Sequence, residues 1–268
     1  MLSIIIPTYN EEDAIPRTLE ALARARGEFE VIVVDGESTD RTRQSVRECI
    51  PDFPKTLRLF VTSRPRALQL NAGARHARGD ALLFLHADVI FPCDGIEALD
   101  RALCDPPVVG GNFDLEFEGP SAWSRIFTWV NRQRRRFGIY YGDSGIFVRR
   151  EVFNRLGGFR PLPIMDDYEF VRRLERAGKT TSVPARLVAS SRRWRERGVW
   201  RTMWSWFWVQ TLYSLAVPTR FLARWYLPVR VKPLRASAPT SGVVTISELS
   251  LGEHPENRTG FDSRRLQS

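Results

Sequence analysis

The chain has 268 residues, room for one α/β domain with a buried core plus appendages, and its 43% apolar and 26% charged residues are not those of a disordered or low-complexity chain. Net charge is +9, almost all of it arginine, since Lys55, Lys179 and Lys232 are the only lysines; that balance favours anionic partners such as phosphates, a nucleotide, an acidic membrane surface or nucleic acid. Cys49, Cys93 and Cys104 form no close-spaced metal pattern and cannot all pair, which excludes a disulfide scaffold and suits a reducing cytoplasm.

The first apolar run, residues 3–6, has no leader segment before it, so export through a cleaved leader is not expected. It breaks into Pro7-Thr-Tyr-Asn-Glu-Glu12, and Asp13 is placed to cap a helix whose apolar face is Ile15, Leu19, Leu22 and Ala23. A second run, residues 29–34, delivers Asp35 to a turn, Gly36-Glu-Ser-Thr-Asp40, in which Ser38 or Thr39 would cap the next helix. Runs at 57–61 and 81–85 complete four strands alternating with helices, the signature of βαβ units and a mainly parallel sheet. Further on, residues 108–117 read as a longer strand and 121–136 as a helix with Trp123, Ile126, Phe127 and Val130 on one face and a basic end. A strand at 145–149 and a helix at 167–177, stopped by Gly178, follow.

Open α/β sheets bind ligands at the C-terminal rim of their strands, so the polar residues there are the candidates. Asp35 can accept hydrogen bonds from a nucleobase or ribose, or merely shape its turn. Asp88, after His86-Ala87, suits a hard divalent cation bridging a diphosphate, which needs only one or two protein carboxylates. His86 could touch ribose or phosphate or serve as a secondary ligand, although a histidine at a strand end is more often structural. Arg66 and Asn71, in Arg64-Pro-Arg-Ala-Leu-Gln-Leu-Asn71, could meet a base or a pyrophosphate, or sit on a solvated helix face. Asp166 and Asp167, adjacent at a helix start, include a general-base candidate, with Asp167 preferred and Asp166 or Glu169 as a structural or acceptor-side partner. Gly142-Asp143-Ser144-Gly145, with Tyr140 and Tyr141, could line the acceptor cavity, or its glycines could serve only the turn.

Residues 3–12, 33–40 and 71–80, with Leu83-Phe-Leu-His-Ala-Asp88 and Met165-Asp-Asp-Tyr-Glu-Phe170, resemble family 2 inverting glycosyltransferases of the GT-A fold over residues 2–190. The nearest sub-group is bacterial, with a His-Ala-Asp variant of the Asp-X-Asp motif, and some of its relatives glycosylate lipids or carotenoid acids. The resemblance implies a GT-A domain over 1–190 and transfer, with inversion, from a nucleoside-diphosphate sugar to an acceptor hydroxyl or carboxylate, assisted by Mg²⁺ or Mn²⁺. Carried over by position, Pro7, Tyr9, Glu11, Asp35, Arg66, Asn71, His86 and Asp88 would hold the donor and Asp88 the metal. Asp167, with Asp166, would act on the acceptor, and Tyr141, Asp143 and Glu169 would lie on the acceptor side. Two departures matter: His86 stands where the motif usually has its first aspartate, and Asp166 where glutamate is usual. The alternative reading is a non-catalytic sugar-nucleotide-binding protein with a degenerate metal site.

Six of the eight tryptophans fall between Trp194 and Trp225 among arginines, so residues 191–230 read as a helical segment. Its apolar core, 202–217, has 16 residues, too few for the roughly 20 of a membrane-spanning helix. It is either packed on the domain or amphipathic at a membrane surface, the latter fitting a lipid-linked or apolar acceptor at the inner face of the cell membrane. Residues 231–268 read as a disordered tail. The basic run Arg132-Gln-Arg-Arg-Arg136 accompanies no RNA- or DNA-binding motif, so nucleic acid is not an expected partner.

Overall fold

The computed structural model describes residues 1–119, 121–190, 198–215, 217–225 and 244–245. Strands β1 (Leu2–Thr8), β2 (Phe29–Asp35), β3 (Thr56–Val61) and β4 (Ala81–Phe84) alternate with helices α1 (Ile15–Ala23), α2 (Thr42–Cys49) and α3 (Arg66–His76). A two-residue β5 (Val89–Ile90), α4 (Gly95–Leu103), β6 (Val108–Phe117), α5 (Ala122–Arg135) and a 3-10 turn at Gly142–Ser144 follow. Then come β7 (Ile146–Arg149), α6 (Arg150–Arg155), α7 (Asp166–Ala177), β8 (Lys179–Ala189), α8 (Val199–Ser214), α9 (Thr219–Trp225) and β9 (Val244–Thr245).

The strands form one sheet in the order β5-β8-β6-β7-β4-β1-β2-β3-β9. β4, β1, β2 and β3 run parallel, and β7 enters antiparallel between β4 and β6. Alternation along the strands divides the core in two. Ile4, Ile6, Val31 and Val33 face one helical layer, and Ile5, Ile32 and Val34 face the other. Side chains two residues apart share a face, so continuous apolar runs such as Ile4-Ile-Ile6 belong to strands covered on both sides. The first layer also takes up Val199, Met203 and Trp206 of α8.

Two expected caps are not formed. α1 is preceded by Ala14 without a side-chain cap, because the chain turns one residue later than Asp13, with the Ala14 and Ile15 amides donating to the Glu11 carbonyl. Ahead of α2, Ser38 turns inward to Asp35, and Asp40 receives the Thr42 amide at 3.0 Å instead. β8, which carries no strand signal in the sequence because Pro184 interrupts it, lies parallel to β6. Its register slips between the Phe113–Val183 and Asp114–Arg186 pairs, and that irregularity accommodates the proline. The tail expected over 231–268 lies outside the described residues except for β9, whose Val244 and Thr245 pair with Val61 and Phe60. Residues 191–197 and 226–230 of the Trp/Arg-rich segment lie outside them too.

Candidate active site

Strand ends and helix starts converge on one cavity of about 680 Å³, within the roughly 300–1,000 Å³ usual for small-molecule sites. β1 contributes Pro7 and Thr8, with Tyr9 and Glu11 beyond it, and the turn after β4 contributes His86 and Asp88. α3 opens with Arg66, and α7 with Asp166 and Asp167. Buried polar groups fix these ends. The Thr18 hydroxyl lies 2.7 Å from the Ala87 carbonyl and 2.8 Å from that of Val89, which holds the His86-Ala87-Asp88 turn. Gln69 donates to the carbonyls of Thr8 and Val34, both at 2.8 Å, and ties the ends of β1 and β2 together.

Arg66 is the hub. Its Nη2 and Nε donate to the two oxygens of Asp166 at 2.6 and 3.1 Å, a bidentate pairing. Nη2 is also 3.3 Å from Asp167 Oδ2, and Nη1 is 3.0 Å from His86 Nε2. Burial opposes the guanidinium charge, but the two carboxylates outweigh it and raise the Arg66 pKa further. Asp167 additionally accepts from the Gly142 amide at 2.9 Å and from the Tyr168 amide at 2.8 Å. Burial alone would raise its pKa; Arg66, the Gly142 amide, His86 and the Tyr168 amide together pull it below the ordinary carboxylate value. The carboxylate is therefore held ionised. Met165, just before α7, has a left-handed backbone (φ 63°, ψ 18°), which is uncommon for a residue with a side chain and sets the angle at which Asp166 and Asp167 enter the cavity.

Tyr141 and Asp143 reach the cavity from the 3-10 turn. The Tyr141 hydroxyl donates to Gln210 Oε1 of α8 at 2.7 Å. Burial foremost, with the neighbouring Tyr168, Asp167 and Asp143 and against the opposing pull of Arg134, pushes its pKa up to about 12, so the phenol keeps its proton.

Of the residues singled out from sequence, Tyr140 is buried in the core, and Asp35, Asn71 and Glu169 also stand away from the cavity wall. Asp35 is fully buried and accepts from the Thr8 hydroxyl at 3.1 Å and the Ser38 amide at 2.8 Å, bonds that shape its own turn. Asn71 clamps Phe159, donating to its carbonyl at 2.8 Å and accepting from its amide at 2.9 Å. Glu169 pairs with Arg173 at 2.7 Å and Arg160 at 3.0 Å. Two features escape the sequence reading. A Cβ on Gly142 would lie 2.7 Å from His86 Nε2 and 3.1 Å from Asp167 Oδ2, so this glycine is needed for a close approach and not only for its turn. α8 lines the cavity with Met203, Trp206, Val209 and Gln210. The helical spacing of Met203, Trp206 and Val209 was the available signal.

Among the described residues no group of three or more His, Cys, Asp or Glu side chains is placed to hold a metal ion. Asp88 is half-buried on the cavity wall, while His86 Nε2 is engaged with Arg66. A single free-standing carboxylate fits a hard cation that keeps its waters and takes its remaining ligands from a diphosphate. It does not fit an all-protein cage.

A mixed α/β sheet with an acidic, arginine-bridged cavity at its C-terminal rim has the layout of the open α/β folds that bind ligands at that edge. Residues 3–157 match the family described as Glycosyl transferase family 2, and the chain belongs to that family. It is 31% identical over 186 residues to an uncharacterized glycosyltransferase of Haemophilus influenzae, a match covering 65% of this chain and 62% of the relative. It is 30% identical over 161 residues to the undecaprenyl-phosphate 4-deoxy-4-formamido-L-arabinose transferase of Pseudomonas paraeruginosa, covering 56% of this chain and 46% of that one. Among solved structures, a mannosyltransferase of Pyrobaculum calidifontis in complex with GDP-Man and Mn²⁺ superposes with a TM-score of 0.56 at 28% identity, over 70% of this chain and 56% of that one. The chain thus spans less than two thirds of the length of each of these three proteins, and its architecture is that of the GT-A glycosyltransferases.

Proposed function

We propose that the protein transfers a sugar, with inversion, from a nucleoside-diphosphate donor to an acceptor oxygen. The observation that carries this reading is Asp167, held ionised in a cavity that joins the strand-end rim to a wall of apolar side chains. The acceptor hydroxyl gives its proton to Asp167, its oxygen forms a bond to the anomeric carbon, and the bond from that carbon to the diphosphate oxygen breaks. The nucleoside diphosphate leaves on the opposite face. Pro7, Tyr9, Glu11 and Asp88 form the donor side of the cavity and Tyr141 and Asp143 the acceptor side. Asp35 and Asn71 act on the donor side through the turns they hold, and Glu169 acts through its arginines. Arg66 is placed to share its charge with the incoming diphosphate, which loosens its hold on Asp167.

Asp88 would hold Mg²⁺ or Mn²⁺, which when bound supplies positive charge at the leaving diphosphate. The solved mannosyltransferase with GDP-Man and Mn²⁺ supports the use of a divalent cation. The polyprenyl-phosphate relative supports an acceptor carried on a lipid. No helix among the described residues is long and apolar enough to cross a membrane. Peripheral contact with the inner face of the cell membrane would run through the exposed Trp200, Trp204 and Trp208 of α8.

Calorimetric titration with UDP-, GDP- and dTDP-sugars, with Mg²⁺ or Mn²⁺ and then EDTA, tests this reading. Selective binding of one donor is expected; no binding to any donor would overturn it. A second reading, a sugar-nucleotide-binding protein without catalysis, draws on the engagement of His86 by Arg66, and donor binding without donor hydrolysis or transfer would favour it.

A further inference from the structure

The cavity continues past the carboxylates. Between α5 and α8 it becomes an arm walled by Ile126, Phe127 and Val130 on one side and Met203, Trp206 and Val209 on the other. Phe127 stacks edge-on against Trp206 with ring centroids 5.6 Å apart, which closes the arm's floor. Its outer lip carries Ile126 and Phe207, both lining the cavity and both exposed, next to the exposed Trp204 and Trp208.

At the inner end stands Arg134. Among the described residues two arginines line the cavity, Arg66 and Arg134. Arg66 is matched by Asp166 and Asp167. The flanking Arg132 and Arg135 are matched by Asp114 and Glu175. Arg134 forms no ion pair among the described residues, and its charge is felt by the Tyr141 phenol, which also feels Asp167. A half-buried cation at the junction of an apolar arm and the reactive carboxylate is complementary to an oxyanion attached to a hydrocarbon chain.

Resting on the transferase reading above, we propose that this arm is the acceptor subsite. It takes the hydrocarbon segment of an anionic amphiphile, whose phosphate or carboxylate head is received by Arg134. On this assignment α8 is a wall of the acceptor site, and the aromatic lip is where a lipid chain enters.

The test is calorimetric titration of the full chain with decyl phosphate, decanoate, decanol and inorganic phosphate, each below its aggregation concentration. Decyl phosphate or decanoate should bind roughly tenfold or more tightly than decanol and than inorganic phosphate, the scale of one charge-assisted hydrogen bond added to a buried chain. Whichever anion binds better identifies the head. Arg134→Gln should remove the preference for the anion over decanol, and Ile126→Trp, at the open lip, should weaken every chain. The exposed Trp129→Ser, on α5 and off the cavity wall, should leave binding unchanged. Inorganic phosphate binding as tightly as decyl phosphate, an unaltered preference in Arg134→Gln, or loss of binding in Trp129→Ser (surface adsorption) would each overturn the proposal. Donor titration on the same samples separates the two ideas. Sugar nucleotides binding while alkyl anions do not removes the arm alone; alkyl anions binding while no sugar nucleotide does removes the transferase reading and with it the acceptor role, leaving only an amphiphile site.

Discussion

Arg66 and Asp166, one hundred positions apart, meet in a bidentate ion pair with contacts of 2.6 and 3.1 Å, and the same guanidinium reaches Asp167 at 3.3 Å. The first residue of α3 is thereby locked to the first residues of α7, which closes the cavity floor between the two halves of the sheet. Arg66 also holds the Asp167 carboxyl below its ordinary value against burial, which pushes the other way.

Removing that charge should leave burial opposed only by the Gly142 amide, His86 and the Tyr168 amide. In Arg66→Gln the Asp167 pKa is expected to rise from its depressed position. The sign follows from linkage. A depressed carboxyl contributes stability above its unfolded pKa and loses it as pH falls through the folded one, so in the wild type the contribution persists down to about pH 4. Following the Asp167 carboxyl carbon by NMR from pH 7 downward should show no titration above about pH 4 in the wild type and a clear upward shift in the variant. Superimposable curves would mean that Arg66 does not set the charge of Asp167.

Asp167→Asn keeps the side chain's shape and its bond from the Gly142 amide but removes the proton acceptor. Donor affinity should stay within about threefold while transfer falls by roughly 10²–10⁴, the usual contribution of a positioned general base. Transfer at the wild-type rate would shift the base to Asp166 or remove it from the mechanism.

Asp88→Ala tests the metal assignment. If Asp88 is the protein's contact to a diphosphate-bound cation, wild-type donor binding should weaken on adding EDTA, and the variant should bind weakly whether or not metal is present. A wild type indifferent to EDTA would show that Arg66 and the backbone carry the diphosphate unaided.

Gly142→Ala probes the tightest approach in the site. The added methyl would come within 2.7 Å of His86 and 3.1 Å of Asp167, with the Gly142 amide itself bonded to Asp167 at 2.9 Å. One of these side chains must shift. A loss of transfer of tenfold or more with a melting temperature lowered by only a few degrees is expected. Unchanged kinetics would indicate that the loop moves aside freely.

Most of the fold was legible because its strands are covered on both faces and read as unbroken apolar runs: Ile4-Ile-Ile6 and Leu82-Leu-Phe84 lead to the cavity rim, and Val31-Ile-Val-Val34 to the buried turn at Asp35. β8 was not legible, since Pro184 breaks its alternation and its pairing with β6 and β5 makes the segment a strand. In the site, carboxylates at strand and helix ends announce themselves by type and place. Contacts made across the fold do not. Nothing local in Arg64-Pro-Arg66 indicates a partner in α7, and nothing in the apolar stretch around Trp206 says whether lipid, a second chain or the cavity lies beneath it. Asp35 and Asn71 show the converse, because residue type and position suggested a ligand and the structure supplies each with protein partners.

Asn71 provides the sharpest separation of those two roles. Its amide group donates to the Phe159 carbonyl and accepts from the Phe159 amide, so it pins the loop leading to α7 from a position off the cavity wall. Gly158, beside it, approaches so closely that a Cβ there would lie 2.6 Å from Asn71 Oδ1, and its φ of 69° is left-handed. Asn71→Ala removes both bonds and leaves two backbone groups of Phe159 without their partner, a loss of about 1–3 kcal/mol for each group that water does not reach. Thermal melting should therefore show a marked drop, while the affinity for a bound nucleoside diphosphate measured well below the new melting temperature should change by less than about threefold. A large affinity loss with melting unchanged would place Asn71 on the donor after all, and would require the Phe159 loop to open when donor binds.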